Sequence, residues 1–498
     1  MNQIMKYKYF STFLLLTLIV ISCSQNNNDY SKQSGNQKQL RFNENGEFLI
    51  AQFTDIHWDN ASENCSLTRQ SIQYVLDRQK PDLVVLTGDI VTEAPAIDGW
   101  NAIAMIFEEA EIAWCVTLGN HDAEIDVSDR QEIFTILENF PHFVGQAGPP
   151  EVEGAGNYVL PILGNTDDKT QFLVYAIDTH NKPTDDIYGH YDWIKFNQLE
   201  WYRSESKNFT RLNDNSPLPA LAFLHIPLLE YYNIVNNKNT VGKSLEGIAS
   251  SDVNSGMFAS FIEMGDVMGV FCGHDHENDY VGIEKEIALG FGRRSGSDSY
   301  GTLPTGARLF RIYQNKRQFD TWITAKGEGD HTYYHYPSGI SSIDEQELVL
   351  QEATEVSQSV NGVSFVYYED RFERVADIKK SNPKKSGVLT NFSLSPAESE
   401  DWMGFEYRAW IKIPKTEIYN FYILSDDGAV LSLNDKVVVD NDGSHSQRRS
   451  EGKLFMEEGF HDLSLLYFER YMGEVLEVGY SSRDVTETTI PDSMLFIK

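Results

Sequence analysis

The segment that decides the fold is IAWCVTLGNHD, residues 112–122. Its first part, residues 112–118, is an apolar run with the length of a buried strand. The residues that follow are Gly119, Asn120, His121 and Asp122. Enzymes built on open sheets commonly place their sites at the carboxyl ends of strands. A single tetrapeptide of this kind is usually an ordinary hydrogen-bonded turn, so its meaning depends on whether other strands end in the same way.

Four other apolar runs also end in residue types that bind metal ions. The residues concerned are Asp55 and His57, Gly88 and Asp89, His225, and Gly273, His274 and His276. The runs at 48–53, 83–86 and 112–118 alternate with helical periodicity at 67–78 and 97–110. This alternation predicts an α/β layer architecture. Adjacent strands of one sheet would bring the polar residues that follow them within reach of one another.

The rest of the chain divides into a continuation of this domain and a second domain. Helices are predicted at 191–203, with Trp193 and Trp201 facing the core, and at 258–264. Strands are predicted at 172–177, 218–224, 267–272, 280–283, 287–291, 307–313 and 319–323. Periodicity is lost after residue 325, and alternating segments between 405 and 480 predict an all-β sandwich. We expect an α/β domain over 47–328, a linker over 329–357 and a β-sandwich domain over 358–498.

The N-terminal residues have the pattern of a secretion signal. Lys6 and Lys8 precede an apolar run at 10–21, which is too short to span a bilayer comfortably. The sequence ending at Cys23 resembles the bacterial lipobox, in which the cysteine is lipidated; a plain cleaved signal with an incidental cysteine is the alternative. We expect a signal peptide over 1–23, a flexible tether over 24–46 and an exported protein lipid-anchored to a bacterial membrane.

The composition limits the partners. The chain has 498 residues and a formal net charge of −33 at pH 7, with 41% hydrophobic residues. This length predicts two or three domains with real cores. The negative charge disfavours non-specific binding to nucleic acid and to anionic lipid surfaces, so we expect no nucleic-acid partner. Apart from Cys23, the cysteines are Cys65, Cys115 and Cys272, an odd and widely spaced set that predicts no disulfide framework.

The polar strand ends together contain what a two-metal hydrolytic site requires. Hydrolysis of a phosphate ester needs a nucleophile at neutral pH and neutralisation of phosphoryl charge, and paired metal ions provide both. We predict Asp55 and His57 for one ion, Asp89 as a bridge, Asn120 and His225 for the second ion, and His274 and His276, one for each ion. Gly88, Gly119 and Gly273 each precede a ligand, where we expect a sharp exit from the strand that needs permissive backbone angles.

These motifs jointly resemble the calcineurin-like metallophosphoesterases over about residues 47–328. The resemblance implies a four-layer αββα sandwich with two metal ions at its strand ends. It implies one ion held by Asp55, His57, Asp89 and His276, and a second held by Asp89, Asn120, His225 and His274. It further implies that His121 is the proton donor or transition-state stabiliser, with Asp122 orienting it.

The flanking residues are similar to the branch near the purple acid phosphatases. Those enzymes carry a tyrosine three residues after the bridging aspartate, whose phenolate binds ferric iron. Thr92 occupies that position here, so we expect a colourless enzyme. The nitrogen and oxygen ligands suit divalent Mn, Fe or Zn. One of Arg293 and Arg294 could bind a substrate phosphate, but a solvent-exposed or structural pair is at least as good an interpretation, so neither is included in the predicted site.

The C-terminal region resembles the protective-antigen-type β-sandwich domain over about residues 358–498. In sugar-binding members of that family, paired aspartates coordinate a calcium ion that grips the hydroxyls of a glycan. Asp426 and Asp427 occupy that position here, and their hard oxygen ligands suit calcium. The alternative is that these residues and Gly428 form an ordinary hairpin turn.

The sequence therefore predicts an exported phosphoesterase with a glycan- or partner-binding module. The expected reaction is hydrolysis of a phosphomonoester or phosphodiester by a hydroxide that bridges the two metal ions, with His121 assisting the leaving oxygen. One alternative is a glycan-binding adhesion lipoprotein whose large domain is a non-catalytic scaffold. A nuclease of the same fold is a third reading, which the acidic balance disfavours.

Overall fold

The computed structural model describes residues 39–127, 129–237, 239–357 and 359–498. The predicted signal peptide and most of the predicted tether lie outside these residues. The end of the tether prediction is wrong, because Leu40 and Phe42 are buried and the Phe42 N–H donates to the Leu163 carbonyl. Among the described residues, we find no helix with the length and apolar character needed to cross a membrane.

The first domain consists of two sheets with helices outside them. Its strands are β1 (Glu47–Phe53), β2 (Leu83–Thr87), β3 (Ala113–Thr117), β4 (Tyr158–Leu163), β5 (Thr170–Ala176), β6 (Ala220–Phe223), β7 (Val267–Cys272), β8 (Val281–Glu284), β9 (Ile287–Phe291), β10 (Gly306–Tyr313), β11 (Phe319–Ala325), β12 (Gly329–Tyr336) and β13 (Ile340–Ser341). Its helices are α1 (Cys65–Gln79), α2 (Ala96–Glu109), α3 (Arg130–Leu137), α4 (Phe196–Leu212), α5 (Tyr231–Ile234), α6 (Met257–Met264) and α7 (Ser342–Glu347).

The two sheets pack face to face. One has the order β13-β12-β11-β10-β1-β2-β3, and the other has the order β4-β5-β6-β7-β9-β8. Phe310 of the first sheet contacts Phe271 and Phe223 of the second, with ring centroids 4.4 and 5.4 Å apart. Helix α1 packs against β10 and β11, and α6 packs against β7 on the other side. This arrangement confirms the predicted four-layer αββα sandwich.

Most predicted elements of this domain occur within a few residues of their predicted bounds, because their apolar periodicity matches their burial. Helix α2, for example, buries Trp100, Ile103 and Phe107 at helical spacing. Helix α4 is an exception, since it begins at Phe196 and not at residue 191. Lys195 is extended and its N–H is accepted by the Gln198 side chain, which starts the helix there. Trp193 consequently lies before the helix and is only partly buried.

The predicted linker is wrong over residues 329–347. Strands β12 and β13 extend the first sheet, and α7 follows with Ser341 as its N-cap. The β12 strand lies near the edge of the sheet, and the half that begins at Gly329 is only partly buried. Its polar residues, such as His331 and Thr332, therefore give no apolar run that sequence periodicity could detect.

The second domain is an all-β sandwich, as predicted. Its elements are β14 (Val363–Glu369), α8 (Val375–Ile378), β15 (Lys385–Leu389), β16 (Met403–Ile413), β17 (Glu417–Asp426), β18 (Ala429–Leu433), β19 (Lys436–Asn441), β20 (Arg448–Met456), β21 (Gly459–Glu469), β22 (Val475–Ser482), β23 (Thr488–Thr489) and β24 (Leu495–Ile497). One sheet has the order β15-β14-β16-β21-β18-β19, with β24 beside β16, and the other has the order β20-β17-β22-β23. The core between them contains Tyr407, Phe421 and Leu465.

Candidate metal centre

The predicted ligands follow neighbouring parallel strands of the two facing sheets. Asp55 and His57 follow β1, Asp89 follows β2, and Asn120 follows β3 in the first sheet. In the second sheet, His225 follows β6, and His274 and His276 follow the adjacent β7. Six of the seven side chains belong to buried residues, and His57 is partly buried. The carboxyl ends of both sheets thus meet at one polar cluster.

The seven side chains form two groups. Asp55, His57 and His276 each offer a ligand atom, and these atoms lie within 4.8 Å of one another. Asp89, His225 and His274 form the second such group. Asn120 belongs with the second group, because its Oδ1 is 3.1 Å from His225 Nε2.

Asp89 lies between the two groups. Its Oδ2 is 3.2 Å from His225 Nε2 and 3.8 Å from His57 Nε2. Its other oxygen, Oδ1, accepts the backbone N–H of His121 at 2.8 Å. This hydrogen bond fixes the carboxylate so that Oδ2 faces both groups, which is the position that a bridging ligand requires.

The imidazoles are oriented as metal ligands. Nδ1 of His225 and Nδ1 of His276 face the backbone carbonyls of Thr87 (2.7 Å) and Tyr300 (3.1 Å). A carbonyl can only accept, so Nδ1 carries the hydrogen and Nε2 presents its lone pair to the cluster. Nε2 of His57 and Nε2 of His274 are buried and have no hydrogen-bond partner among the described residues. Because such orphaned atoms are costly, the residues fit a pair of divalent cations.

The electrostatics of the cluster also favour bound cations. Burial raises the pKa of Asp89, but His225 and His57 outweigh it and the pKa is lowered, so the carboxylate is ionised. Burial lowers the pKa of His274 to about 3 and His225 adds to this effect, which leaves the imidazole neutral as a metal ligand must be. Burial also opposes a charge on His225, yet Asp89 raises its pKa to about 9, so positive charge at Nε2 is favoured, whether a proton or a metal ion supplies it. The field of the buried carboxylates therefore attracts positive charge to this place.

Four of the ligands have a strained backbone. Asp55, His57, Asp89 and His274 have φ values of 52°, 47°, 52° and 76°. Residues other than glycine rarely adopt this left-handed region, which costs of order 1–3 kcal/mol per residue. Such strain persists only where the surrounding structure determines it, and it is concentrated at functional sites.

The glycines beside the ligands have two different roles. Gly88 has a φ of 85°, as the predicted need for permissive angles requires. That prediction is wrong for Gly119 and Gly273, whose φ values are not positive. Glycine is needed at these two positions because of close packing. A Cβ on Gly119 would lie 2.2 Å from Asp89 Oδ1, and one on Gly273 would lie 1.9 Å from Thr54 Oγ1.

Asp122 does not orient His121, contrary to the prediction. Its fully buried carboxylate accepts backbone N–H groups of two loops, at distances of 2.7–3.1 Å. The donors are Asp89, Ile90, Val91 and Gly119. Asp122 thus joins the loop after β2 to the loop after β3. The imidazole of His121 instead contacts Glu124, which sequence reasoning missed although it lies one turn further along the chain.

The arginine pair after the last predicted ligand and a further Asp-x-His motif both have structural roles. Arg293 is buried against Asp279 at 2.5 Å, and Arg294 donates to several carbonyls of its own loop, so neither is free to bind a substrate phosphate. Asp178 belongs to an Asp-x-His pair that resembles the first ligand motif. It forms an ion pair with Arg130 at 2.5 Å, away from the cluster. Arg130 also donates to the Gly119 carbonyl and so supports the ligand loop after β3.

The C-terminal domain contains a second acidic group. Asp426, Asp427 and Glu469 each offer an oxygen within 4.8 Å of the others. Glu469 is buried, and its Oε1 has no hydrogen-bond partner among the described residues. Burial and the nearby Asp427 raise its pKa to about 8. Glu469 is 42 positions from Asp427 in sequence and joins it only because β17 and β21 bring the loops together, so sequence reasoning missed it.

Comparison with known proteins agrees with both domains. Residues 48–278 match the calcineurin-like phosphoesterase family, and residues 359–494 match the PA14 domain family. The probable inactive purple acid phosphatase 29 of Arabidopsis thaliana is 32% identical in an alignment 358 residues long, which covers 65% of this chain and 90% of that protein. Phosphatase DCR2 of Saccharomyces cerevisiae is 30% identical over 58% of this chain and 56% of its own length.

Among solved structures, a dimetal phosphatase from Danio rerio is 10% identical, with a TM-score of 0.39. It covers 57% of this chain and 96% of its own. The match over residues 48–278 and the Arabidopsis relative identify the chain as a member of the calcineurin-like phosphoesterase family, and it carries a C-terminal PA14 domain.

Proposed function

We propose that the protein is a dinuclear metal-dependent phosphoesterase that hydrolyses phosphomonoesters or phosphodiesters. The observation that carries this proposal is the convergence of seven ligands with two buried, unpartnered Nε2 atoms. Relatives such as the Arabidopsis protein carry names that describe them as probable inactive, whereas the yeast relative is named a phosphatase. In this chain every position of the predicted ligand set is occupied by a residue able to bind a metal ion.

Some residues of the cluster would bind the metal ions, and His121 would act on the substrate. The metal pair, when bound, supplies a nucleophile at neutral pH and neutralises charge on the phosphoryl oxygens. Asp55, His57 and His276 would hold one ion, and Asn120, His225 and His274 the other, with Asp89 between them. The His121 side chain is 41% exposed and lies beside His57, with ring centroids 5.9 Å apart. It can therefore reach the leaving oxygen of a bound ester and provide its proton.

Metal-stripped full-length protein, resupplied with Mn, Fe, Zn or Ca, tests this proposal on a panel of aryl phosphate monoesters and diesters. We expect activity with at least one transition metal, and a loss of 10²- to 10⁴-fold in His121→Ala, the range of general acid catalysis. Absence of turnover with every metal would instead support the rival function of a glycan-binding adhesion protein with a non-catalytic scaffold.

We further propose that the PA14 domain binds a glycan through calcium held by Asp426, Asp427 and Glu469. The unpartnered Glu469 Oε1 supports this reading over a simple hairpin turn. Titration of calcium into the full-length protein should raise the unfolding temperature of the wild type, and the Asp426→Asn variant should lose this shift. An equal response of both proteins would contradict the site.

We also propose that the protein is exported and lipid-anchored through Cys23, on the basis of the lipobox-like sequence alone. Metabolic labelling with a radioactive fatty acid should mark the wild type and not Cys23→Ala. Labelling of both proteins, or of neither, would contradict the anchor.

A further inference from the structure

A chain of polar contacts extends from the metal centre to the surface. His121 Nδ1 is 2.5 Å from Glu124 Oε2, and Glu124 Oε1 is 3.1 Å from Lys182 Nζ. The backbone N–H of Glu124 donates to the His121 carbonyl at 3.2 Å, so both residues belong to one turn. The turn fixes the distance between the two side chains, and the lysine engages the oxygen that the imidazole leaves free.

This geometry determines which ring nitrogen of His121 is available to a substrate. An ionised carboxylate can only accept, so the hydrogen lies on Nδ1 and Nε2 is the atom left for a substrate. Hydrogen bonds from His121 and Lys182 outweigh burial and lower the pKa of Glu124, which keeps it an acceptor. The backbone N–H of His121 is itself tied to Asp89 Oδ1. The backbone of His121 is thus held by the candidate bridging ligand Asp89, and its ring is held by Glu124.

A contribution to folding stability does not explain why Glu124 contacts His121 and Lys182. The side chains of His121, Glu124 and Lys182 are 41%, 32% and 68% exposed. Exposed ion pairs contribute only about 0–1 kcal/mol to folding. The carboxylate next to His121 in sequence cannot replace Glu124, because Asp122 is buried and its oxygens accept four backbone N–H groups. The contact of Glu124 with the ring therefore points to the chemistry at His121.

We propose that Glu124, supported by Lys182, is a positioning residue that holds Nε2 of His121 toward the leaving oxygen of the ester. This proposal rests on the proposed phosphoesterase function. In its imidazolium form the His121 ring carries hydrogen on Nε2 as well as on Nδ1. As the bond from phosphorus to the leaving oxygen breaks, that oxygen keeps the electron pair and takes the proton from Nε2, which leaves the neutral ring with its hydrogen on Nδ1. A water molecule supplies the oxygen that bonds to phosphorus, and a proton from that water restores the ring.

The leaving group of the substrate distinguishes this role from a structural one. In Glu124→Gln we expect kcat for phenyl phosphate, whose leaving group needs a proton, to fall about 10- to 100-fold. With 2,4-dinitrophenyl phosphate, whose leaving group needs none, the loss should be less than about 3-fold, and KM should change less than about 2-fold. The double variant with His121→Ala should be no slower than His121→Ala alone, because both changes remove one function.

Matched variants control for general effects. Glu138→Gln changes an exposed glutamate at the end of α3 and should leave both substrates unaffected. Lys182→Ala should cost at most a few-fold with phenyl phosphate. An equal loss of Glu124→Gln on both substrates, or a loss that adds to that of His121→Ala, would overturn the proposal.

A second measurement tests whether Glu124 positions the His121 ring, and it does not depend on catalytic activity. Nitrogen-15 NMR of histidine-labelled full-length protein reports which ring nitrogen of His121 carries hydrogen. We expect Nδ1–H in the wild type and a mixture of tautomers in Glu124→Gln. The same tautomer in both would overturn the positioning role. If the metal-loaded wild type hydrolysed none of the esters, the proposed phosphoesterase function would be wrong. The NMR spectrum would still test whether Glu124 positions the His121 ring.

Discussion

Replacement of Asp122 by alanine tests whether this residue holds the metal-binding loops together. The change removes an acceptor of four buried backbone N–H groups and leaves a cavity beneath Asp89 and Gly119. A hydrogen bond to a charged group contributes about 1.5–3 kcal/mol, but two donors share each oxygen, and removal of a buried charge offsets part of the loss. We expect a net destabilisation of about 3 kcal/mol, which corresponds to a fall of roughly 6–12 °C in Tm.

The assay combines thermal unfolding with metal content. In the Asp122→Ala protein we expect the lower Tm together with fewer than two bound metal ions per chain, because the loops that carry Asp89 and Asn120 lose their connection. Asp126→Ala is the matched control, since its exposed carboxylate accepts one backbone N–H, from Ala96, in the same region. Its loss should not exceed about 1 kcal/mol.

One result would support the predicted role of Asp122 in orienting His121. If Asp122→Ala kept the wild-type Tm and metal content but lost turnover as His121→Ala does, Asp122 would act through His121. The reasoning from its hydrogen bonds would then be refuted.

Further predictions concern single residues. His274→Ala should retain about one metal ion per chain, measured by elemental analysis, because the group around Asp55 remains complete; retention of two ions would contradict the assignment. The pKa of Glu469 is raised from 4.5 to about 8, so the stability from its neutral form is present below pH 4.5 and lost as pH rises toward 8. Without calcium, the Glu469→Gln variant should therefore have the same free energy of unfolding as the wild type at acidic pH and a higher one at pH 8. Unfolding curves measured across this pH range test this. The pKa of Asp178 is lowered despite burial, mainly by Arg130, so its contribution is present above pH 3.8 and lost below it. Asp178→Asn should cost about 3–5 kcal/mol at pH 7 in denaturant unfolding and progressively less as pH falls below 4. Iron-loaded protein should show no purple colour in its visible spectrum, because Thr92 offers no phenolate.

The seven predicted ligands could be brought into one cluster from the sequence because such residues are recognisable by type and by their place after a strand. Asp89, for example, follows a run that is buried throughout β2. Strand order was not needed, since the parallel neighbours β1, β2 and β3 bring consecutive motifs together.

Features that depend on three-dimensional contacts could not be predicted in this way. The family resemblance implied that Asp122 orients His121, yet the side chains of these two adjacent residues face different partners. Glu469 meets Asp427 only through the packing of distant strands. The left-handed backbone at Asp55 could not be predicted from residue type, since aspartate adopts this region more often than most residues but still only occasionally. Strand β12, next to the edge of its sheet, lacks the apolar alternation on which prediction relies.

The central claim is that seven side chains hold two metal ions, and anomalous X-ray scattering from crystals of manganese-loaded protein tests it most directly. We predict two peaks about 3.5–4 Å apart, the usual separation in two-metal sites. One should contact Asp55, His57 and His276, and the other Asn120, His225 and His274, with Asp89 touching both. A single peak, or no peak beside Asp89, would contradict the account.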